Sequence, residues 1–448
     1  MEQQFNQQTQ SFFEKYKTLA KGFFVGFLVL IMLIPTAYIM VLITERAGRQ
    51  QEVIKEVSSK WATGQIITGP MLTVPYYTSS TDKEGKTTRT KRTIHILPDQ
   101  LTINGKVYPE IRHRSLYNVT VYRSSLEFSG QFDPEIINKE LGDADSIDWQ
   151  KASFIMGIDD SRGLEDEPVL TWGTEKKNME TMMAAHEALS EALDAPVNVQ
   201  PDKKTDFHIS LKVKGTGELY FTPNGKTTTV NINSPYATPA FDGKYLPDRI
   251  PMLSDSGFSA SWKILQASRG YPQYWQDSAY PDFKKSAFGV KLIQQADHYS
   301  KTERSVKYAI LIISLTFLVF FFLEVIQKRS VHPLQYILVG IALSIFYTLL
   351  LSISEYTGFN TAYLVAATAT VLLITWYIKA IFGKMRVAAG FMAALTTLYG
   401  YVFFLIQLKD YALLFGSIGL FVIVAVIMYY SRRIDWYGVH KTGNDEKA

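Results

Sequence analysis

The chain has no cysteine in its 448 residues. Disulfide frameworks, thiolate nucleophiles and cysteine zinc sites are therefore excluded; a non-reducing compartment is permitted but not required. Histidine is scarce too. The seven, at His95, His113, His186, His208, His298, His332 and His440, never stand at a metal-ligand spacing such as H-x-x-x-H, which argues against a metal centre and leaves no cofactor to be expected. No G-x-S-x-G elbow, P-loop or G-x-G-x-x-G fingerprint occurs, so nucleotide chemistry and the common hydrolase signature have no support. The net charge is only +4, and the basic residues cluster beside apolar runs as membrane-flanking loops would have them, so no nucleic-acid partner is expected. Internal repeats and low-complexity tracts are missing as well.

What the chain does have is long apolar runs. Mean hydropathy is +0.00, an average of a polar middle, residues 44–307, and an almost continuously apolar C-terminal third. The turning point is residues 303–329, ERSVKYAILIISLTFLVFFFLEVIQKR, uncharged from Tyr308 to Leu323. With Val325 and Ile326 this run is about as long as a helix needs to be to cross roughly 30 Å of hydrocarbon.

Residues 1–21 are polar and carry Lys15, Lys17 and Lys21 ahead of an apolar run at 22–43. That run is longer than a signal-peptide core and no small-x-small site follows it, so it reads as a retained anchor. Pro35 inside it predicts a kink, tolerated where neighbouring helices satisfy the freed carbonyl. Ala47, Ile54, Val57 and Trp61 recur at helical spacing, which extends the anchor into an amphipathic stalk. Gly64 and then Thr68-Gly69-Pro70 end it, with an extended stretch beyond.

The middle reads as mainly β. Leu126, Phe128 and Phe132 alternate with polar residues, and so do Phe207, Ile209, Leu211 and Val213, the period of half-buried strands. Asn104-Gly105, Asn224-Gly225 and Gly215-Thr216-Gly217 predict tight turns, making 207–233 a three-stranded meander. One helix is expected over 178–193, with Met179, Met182, Met183, His186, Leu189 and Leu193 on one face.

Four further apolar runs follow, at about 333–353, 361–381, 387–407 and 411–430. Basic residues alternate between the connections: Lys328 and Arg329; none in SEYTGFN; Lys379, Lys384 and Arg386; Lys409 beside Asp410; then Arg432, Arg433, Lys441 and Lys447. The positive-inside rule then places both termini in the cytoplasm and the middle domain outside, in a Gram-negative cell the periplasm. The expected fold class is a polytopic α-helical membrane protein with six transmembrane helices and a large inserted β-rich periplasmic domain. Its parts are a tail at 1–21, an anchor at 22–43, a stalk and β-rich domain at 44–307, a five-helix bundle at 308–430 and a tail at 431–448.

Several stretches resemble the CreD family of bacterial inner-membrane proteins over nearly the whole chain. In the C-terminal third they are TERSVKYAILIISLTFLVFFFLEV from Thr302, HPLQYILVG from His332, LLLSISEYTGF from Leu349 and RRIDWY from Arg432. TGPMLTVP, GTGELYFTPNG and SGFSASW in the middle are similar too. The resemblance implies an envelope-stress protein under two-component control, linked to colicin tolerance when overproduced and, in some bacteria, to the β-lactam response. It carries over no catalytic or binding residue.

Few side chains invite chemistry. Asp159-Asp160 and Glu165-Asp166-Glu167 offer paired carboxylates, but adjacent acids around Ser161-Arg162-Gly163-Leu164 fit a solvated turn better than the opposed acids of a glycosidase. Lys86, Arg89, Lys91 and Arg92 fit a solvated edge strand protected from aggregation, with contact to phospholipid headgroups or another anionic envelope polymer as the sharper alternative. Glu324 and Glu355 are ionisable residues at the ends of spans, where such groups are costly. Glu324 is expected to form an interfacial pair with Lys328 at i+4, and Glu355 to be interfacial beside the soluble domain. Glu45, Arg46, Glu303, Arg304 and Lys307 are candidates for a charged collar where both tethers of the domain leave the membrane.

The leading expectation is a non-enzymatic protein in the lipid bilayer whose periplasmic domain binds a periplasmic protein or envelope component, with the oligomeric state left open. A transporter or lipid-handling protein predicts a polar or lipid-accessible cavity in the bundle, whereas a membrane-bound envelope enzyme predicts a concave cluster of titratable groups.

Overall fold

The computed structural model describes residues 2–81, 83, 85–141, 144–183, 189–254, 256–292, 297–327, 329–408 and 411–432, with side chains of the first helix from Lys21 onward. Lys328, Lys409, Asp410, His186, His440, the side chains of Lys15 and Lys17, and the expected C-terminal tail from Arg433 lie outside the described residues. The chain forms two compact units: residues 1–49 with 296–448, and residues 50–295.

In the first unit the apolar runs become helices. Helix α1 (Glu2–Lys60) takes in the expected tail, anchor and stalk without a break. After a short helix of the other unit, α2 (Glu135–Glu140), come α3 (Asp297–Lys307), α4 (Ala309–Ile326), α5 (Pro333–Thr357), α6 (Phe359–Phe382), α7 (Met385–Gln407) and α8 (Ala412–Ser431). Among the described residues six helices are long and apolar enough to cross a membrane: α1 from Lys21 on, and α4 to α8. Val25, Leu28, Met32, Thr36, Ile39 and Ile43 form one buried stripe of α1, the i, i+3, i+4, i+7 spacing of a helix packed along one face. Gly340 on α5 lets that stripe close in, since a Cβ there would stand 2.5 Å from Met32 Sδ. Small residues at such crossings are the usual device of helix packing in a bilayer. Helix α8 buries no residue.

The second unit is two β-sheets, described by their spatial order. One runs Ala240–Gly243, Phe288–Lys291, Glu218–Phe221, Gln65–Thr81, Ala152–Ile158, Glu191–Val197, Glu180–Met183, with Thr87–Ile96, Tyr274–Gln276 and Ser146–Ile147 paired beside this path. The other runs Arg249–Ser254, Gly257–Leu265, Thr227–Ser234, Gln100–Arg114, Tyr117–Phe132, Thr205–Thr216, Val169–Trp172, Glu175–Asn178. The two strands read most directly from alternation are antiparallel neighbours, with Leu126 opposite Leu211 and Phe128 opposite Ile209. Rings from the two sheets interdigitate in the shared core. Phe154 of the first stands 5.4 Å from Phe207 and 5.9 Å from Phe132 of the second, and Phe288 of the first stands 5.7 Å from Trp262 of the second. This is the packing of a sandwich.

Three local expectations are corrected. The helix over 178–193 is absent: the described part is strand at Glu175–Asn178, Glu180–Met183 and Glu191–Val197, and residues 184–188 lie outside the described residues. Leu193 pairs with Met156 on one side and Thr181 on the other, so sheet pairing overrides a methionine spacing that also fits a helix. The meander over 207–233 is absent as well. Thr205–Thr216 and Thr227–Ser234 belong to one sheet and Glu218–Phe221 to the other, with Gly217 at φ +73° where the chain changes sheets. Finally, Asn104-Gly105 lies inside a strand. A Cβ at Gly105 would come within 2.6 Å of Ile232 Cδ1 and 2.8 Å of Leu126 Cδ2, so the glycine makes room for neighbours instead of turning the chain.

Candidate functional site

The structure gives the two membrane carboxylates partners that the sequence did not suggest. Helix α4 stops at Ile326 and the chain returns at once to begin α5. That return carries Val331 and Tyr336 over Glu324, which is 6% exposed. Glu324 Oε1 accepts from Val331 N at 2.8 Å and Oε2 from the Tyr336 hydroxyl at 2.9 Å. Lys21 of α1 donates to Oε1 as well and to the Val331 carbonyl at 3.1 Å. Among the described residues Glu324 therefore sits in a buried network. Lys328 lies outside the described residues, and the partner shown is Lys21 of another helix. A buried carboxylate is tolerable in an apolar bundle when cation and donors fill its lone pairs in this way.

Glu355, near the other end of α5, receives both tethers of the β-rich unit. The Tyr299 hydroxyl of α3 donates to its Oε1 at 2.9 Å, and Arg46 Nε of α1 stands 3.8 Å from the same oxygen. The side chain of Glu355 is 8% exposed and that of Arg46 50%. Of the collar residues, Glu303 pairs with Lys307 along α3 at 2.7 Å, Glu45 is exposed on α1 beside Arg46, and Arg304 is half-buried on α3.

Where α1 ends, the second unit grips it. Arg162 holds Asp160 through two hydrogen bonds, Nε to Oδ1 at 2.8 Å and Nη2 to Oδ2 at 2.7 Å, and its Nη1 donates to the Ser59 carbonyl at 2.6 Å. Asp160 in turn accepts from Thr63 N at 2.9 Å, and the Thr216 hydroxyl donates to the Ala62 carbonyl at 2.7 Å. Arg112, Arg123 and Lys214 stand 5.0, 5.4 and 5.0 Å from the centre of the Trp61 ring. Cations suit the carbonyl-rich end of a long helix. Burial raises the Asp160 carboxyl, but Arg162 and the Thr63 amide outweigh it and bring the group down to about 2. The turn is therefore a clamp, with Asp160 inside it, while Glu165 and Asp166 pair outward with Arg123 and Lys212 at 3.2 and 2.7 Å. The basic run near Arg89 lies in the exposed half of a hairpin, Arg89 over the Tyr77 ring at 4.3 Å and Arg92 3.9 Å from Asp277.

A buried cation was not singled out from the sequence. Arg269 donates to the carbonyls of Asn224 at 2.7 Å, Gly225 at 3.0 Å and Tyr271 at 3.3 Å, and to the Gln273 side chain. Burial lowers its pKa from the ordinary value, and its contacts hold the Asn224-Gly225 loop. Among the described residues no three His, Asp or Glu side chains gather as a metal site. The helical unit also contains an apolar cavity of about 730 Å³ walled by α4, α7 and α8.

The six apolar helices of membrane length among the described residues, together with a β-rich unit, are consistent with a membrane protein. Residues 17–437 match the family described as "Inner membrane protein CreD". Inner membrane protein CreD of Escherichia coli (strain K12) is 31% identical over 417 residues, 91% of this chain and 91% of that protein. The chain belongs to the CreD family and is an inner membrane protein; the family is named for its location and not for a reaction. Solved structures of M1 zinc metallopeptidases are similar only locally. One from Deinococcus radiodurans has 9% identity over 38% of both chains with a TM-score of 0.18. A two-domain form bound to L-tryptophan has 9% identity over 44% of this chain and 43% of that one, with a TM-score of 0.19. Scores of this size carry no argument about fold or activity.

Proposed function

We propose that this protein is a non-enzymatic envelope-stress protein in which a periplasmic β-rich unit binds a protein or envelope component and passes its bound state to the helix bundle. In this reading α1 and α4 to α8 all span the membrane, both termini are cytoplasmic, and the unit at 50–295 stands in the periplasm. The observation that carries the reading is Glu355, one carboxylate of the bundle on which Tyr299 of one tether and Arg46 of the other converge. The clamp of Asp160 and Arg162 on the end of α1 supports it, because a gripped helix passes on a change of orientation that a loose linker would absorb. Glu45, Glu303, Arg304 and Lys307, with Arg46, form a charged collar where both tethers leave the membrane. A ligand that prefers one orientation of the periplasmic unit biases the bundle by its difference in affinity between the two orientations.

Flexible Gly-Ser segments inserted after Trp61 and before Glu303 test this. The expected outcome is a protein that inserts and accumulates normally but loses its envelope-stress phenotype. A full phenotype with both insertions would mean that unit and bundle act independently. Reporter fusions test the orientation: positions near 10, 330, 384 and 440 should report cytoplasm, and those near 150, 357 and 409 the outside. A cytoplasmic signal at position 150 overturns the reading.

A further inference from the structure

The cavity between α4, α7 and α8 has a length that suggests its occupant. Its lining runs from Leu315 to Ile326 on α4, Phe391 to Tyr401 on α7 and Gly419 to Tyr430 on α8. At about 1.5 Å per residue each wall is roughly 15–17 Å long, close to half of a hydrocarbon core of about 30 Å. The α4 and α8 walls run to the last turns of their helices, at Ile326 and Tyr430, and the α7 wall occupies the middle of that helix, six residues from its first turn at Met385. The Thr316 and Tyr401 hydroxyls in the lining are engaged, by the carbonyls of Ile312 at 2.6 Å and Phe415 at 3.0 Å. Apart from Thr397 and Tyr430 the rest of the lining is a surface for hydrocarbon, with a volume within the roughly 300–1,000 Å³ of small-ligand sites.

Beyond the Ile326 and Tyr430 end of the cavity the chain supplies charge. Arg386 is exposed on the first turn of α7, Arg432 is exposed at the end of α8, and Arg329 follows α4. Between Glu355 and Asp410 the sequence has no acidic residue, and Glu324, the acid near this end of α4, is already held by Lys21, Val331 and Tyr336. An apolar slot about one leaflet long, with cations in the chain just beyond the ends of α4 and α8 and on the first turn of α7, is complementary to an anionic lipid. We propose that this cavity is a site for one anionic phospholipid, its chain between α4, α7 and α8 and its phosphate at Arg386 and Arg432.

Native mass spectrometry of the full chain in mild detergent tests the site, with added phosphatidylglycerol or phosphatidylcholine of identical chains. The expected result is one bound phosphatidylglycerol retained about tenfold better than phosphatidylcholine. Ala394→Trp, which fills the slot, should cut retention of both lipids at least several-fold, and the double variant Arg386→Gln, Arg432→Gln should remove the headgroup preference while some chain binding remains. Matching melting temperatures confirm that the variants are folded, and if Ala394→Trp is not, the arginine pair still decides. Equal retention of the two lipids by the unaltered protein overturns the proposal. So does a preference that survives in the arginine variant, or full retention in folded Ala394→Trp.

Discussion

Removing the Glu324 carboxylate measures how firmly α1 is joined to the bundle. Glu324→Leu leaves three donors behind: the Lys21 ammonium, the Val331 amide and the Tyr336 hydroxyl. Breaking one side of a buried pair costs about 3–5 kcal/mol in water-soluble proteins, whereas single hydrogen bonds between membrane helices average about 0.6 and reach about 1.7 kcal/mol. The Lys21 side chain is 25% exposed, so its ammonium can turn toward water or headgroups once released, and the lower figures govern. Three lost bonds then sum to about 2–3 kcal/mol. Glu324→Gln keeps an acceptor for Val331 and Tyr336 and loses only the charge, for about 1–2 kcal/mol. Lys21→Met strands the carboxylate instead and should cost about as much as Glu324→Leu. Because the two residues share one network, the double variant should be little worse than either single one, with a coupling above about 1 kcal/mol. Reversible unfolding of the full chain in mixed micelles reads all four proteins. If the single costs add to within about 0.5 kcal/mol, Lys21 and Glu324 do not interact and the network is not what fixes α1.

Two further outcomes concern the β-rich unit. Arg269→Leu leaves the carbonyls of Asn224, Gly225 and Tyr271 without their donor, and should cost about 3 kcal/mol in thermal or denaturant unfolding; a loss under about 0.5 kcal/mol would show that the loop holds itself. Asp160, depressed to about 2 by Arg162 and Thr63, adds stability that is complete above its ordinary value of 3.8 and is lost as pH falls from about 4 to about 2. With screening by the half-exposed Arg162 this amounts to about 1–2 kcal/mol, and Arg162→Ala should flatten that acid limb of the stability curve while lowering its plateau.

The spans and the first strands were legible because one local pattern decides each of them. The uncharged run from Tyr308 has no stable alternative to a membrane helix once it is as long as the bilayer is thick, and the alternation at Phe207 to Val213 leaves a single face to bury. Asn104-Gly105 misled because the same dipeptide that favours a hairpin also suits a strand interior where Ile232 and Leu126 crowd in, and only the neighbouring strands tell the two apart. The methionines at 179–183 misled for a related reason: four or five residues fit either period, and the pairing with Glu191–Val197 decided. Glu324 and Glu355 could be singled out from the cost of burying charge, but not their partners. Lys21 lies 303 positions from Glu324 and Tyr299 56 positions from Glu355, separations over which no periodicity reaches. Lys21 did carry a signal, as the last basic residue before the first apolar run, and the sequence reading assigned it to orientation alone.

In the proposed coupling, the strength of the Glu355 node sets what kind of signal it can pass. Arg46 is half-exposed and 3.8 Å away, so its share is under about 1 kcal/mol. The Tyr299 hydrogen bond to a largely buried carboxylate at 2.9 Å contributes about 1.5 kcal/mol. Together they allow a bias of about 2 kcal/mol, a shift of roughly 30-fold in a two-state equilibrium. Carrying a bundle from 1:99 to 99:1 needs about 5.5 kcal/mol, so this carboxylate alone supports a graded response and not an all-or-none switch. Glu355→Ala should therefore move the dose of envelope stress at which the phenotype appears by about ten- to thirtyfold and leave its maximum unchanged, with Tyr299→Phe accounting for most of the shift. Complete loss of the phenotype in a Glu355→Ala protein that still inserts and melts normally would contradict this arithmetic and make the carboxylate part of a binding or gating step. No shift at all would place the coupling elsewhere along the two tethers.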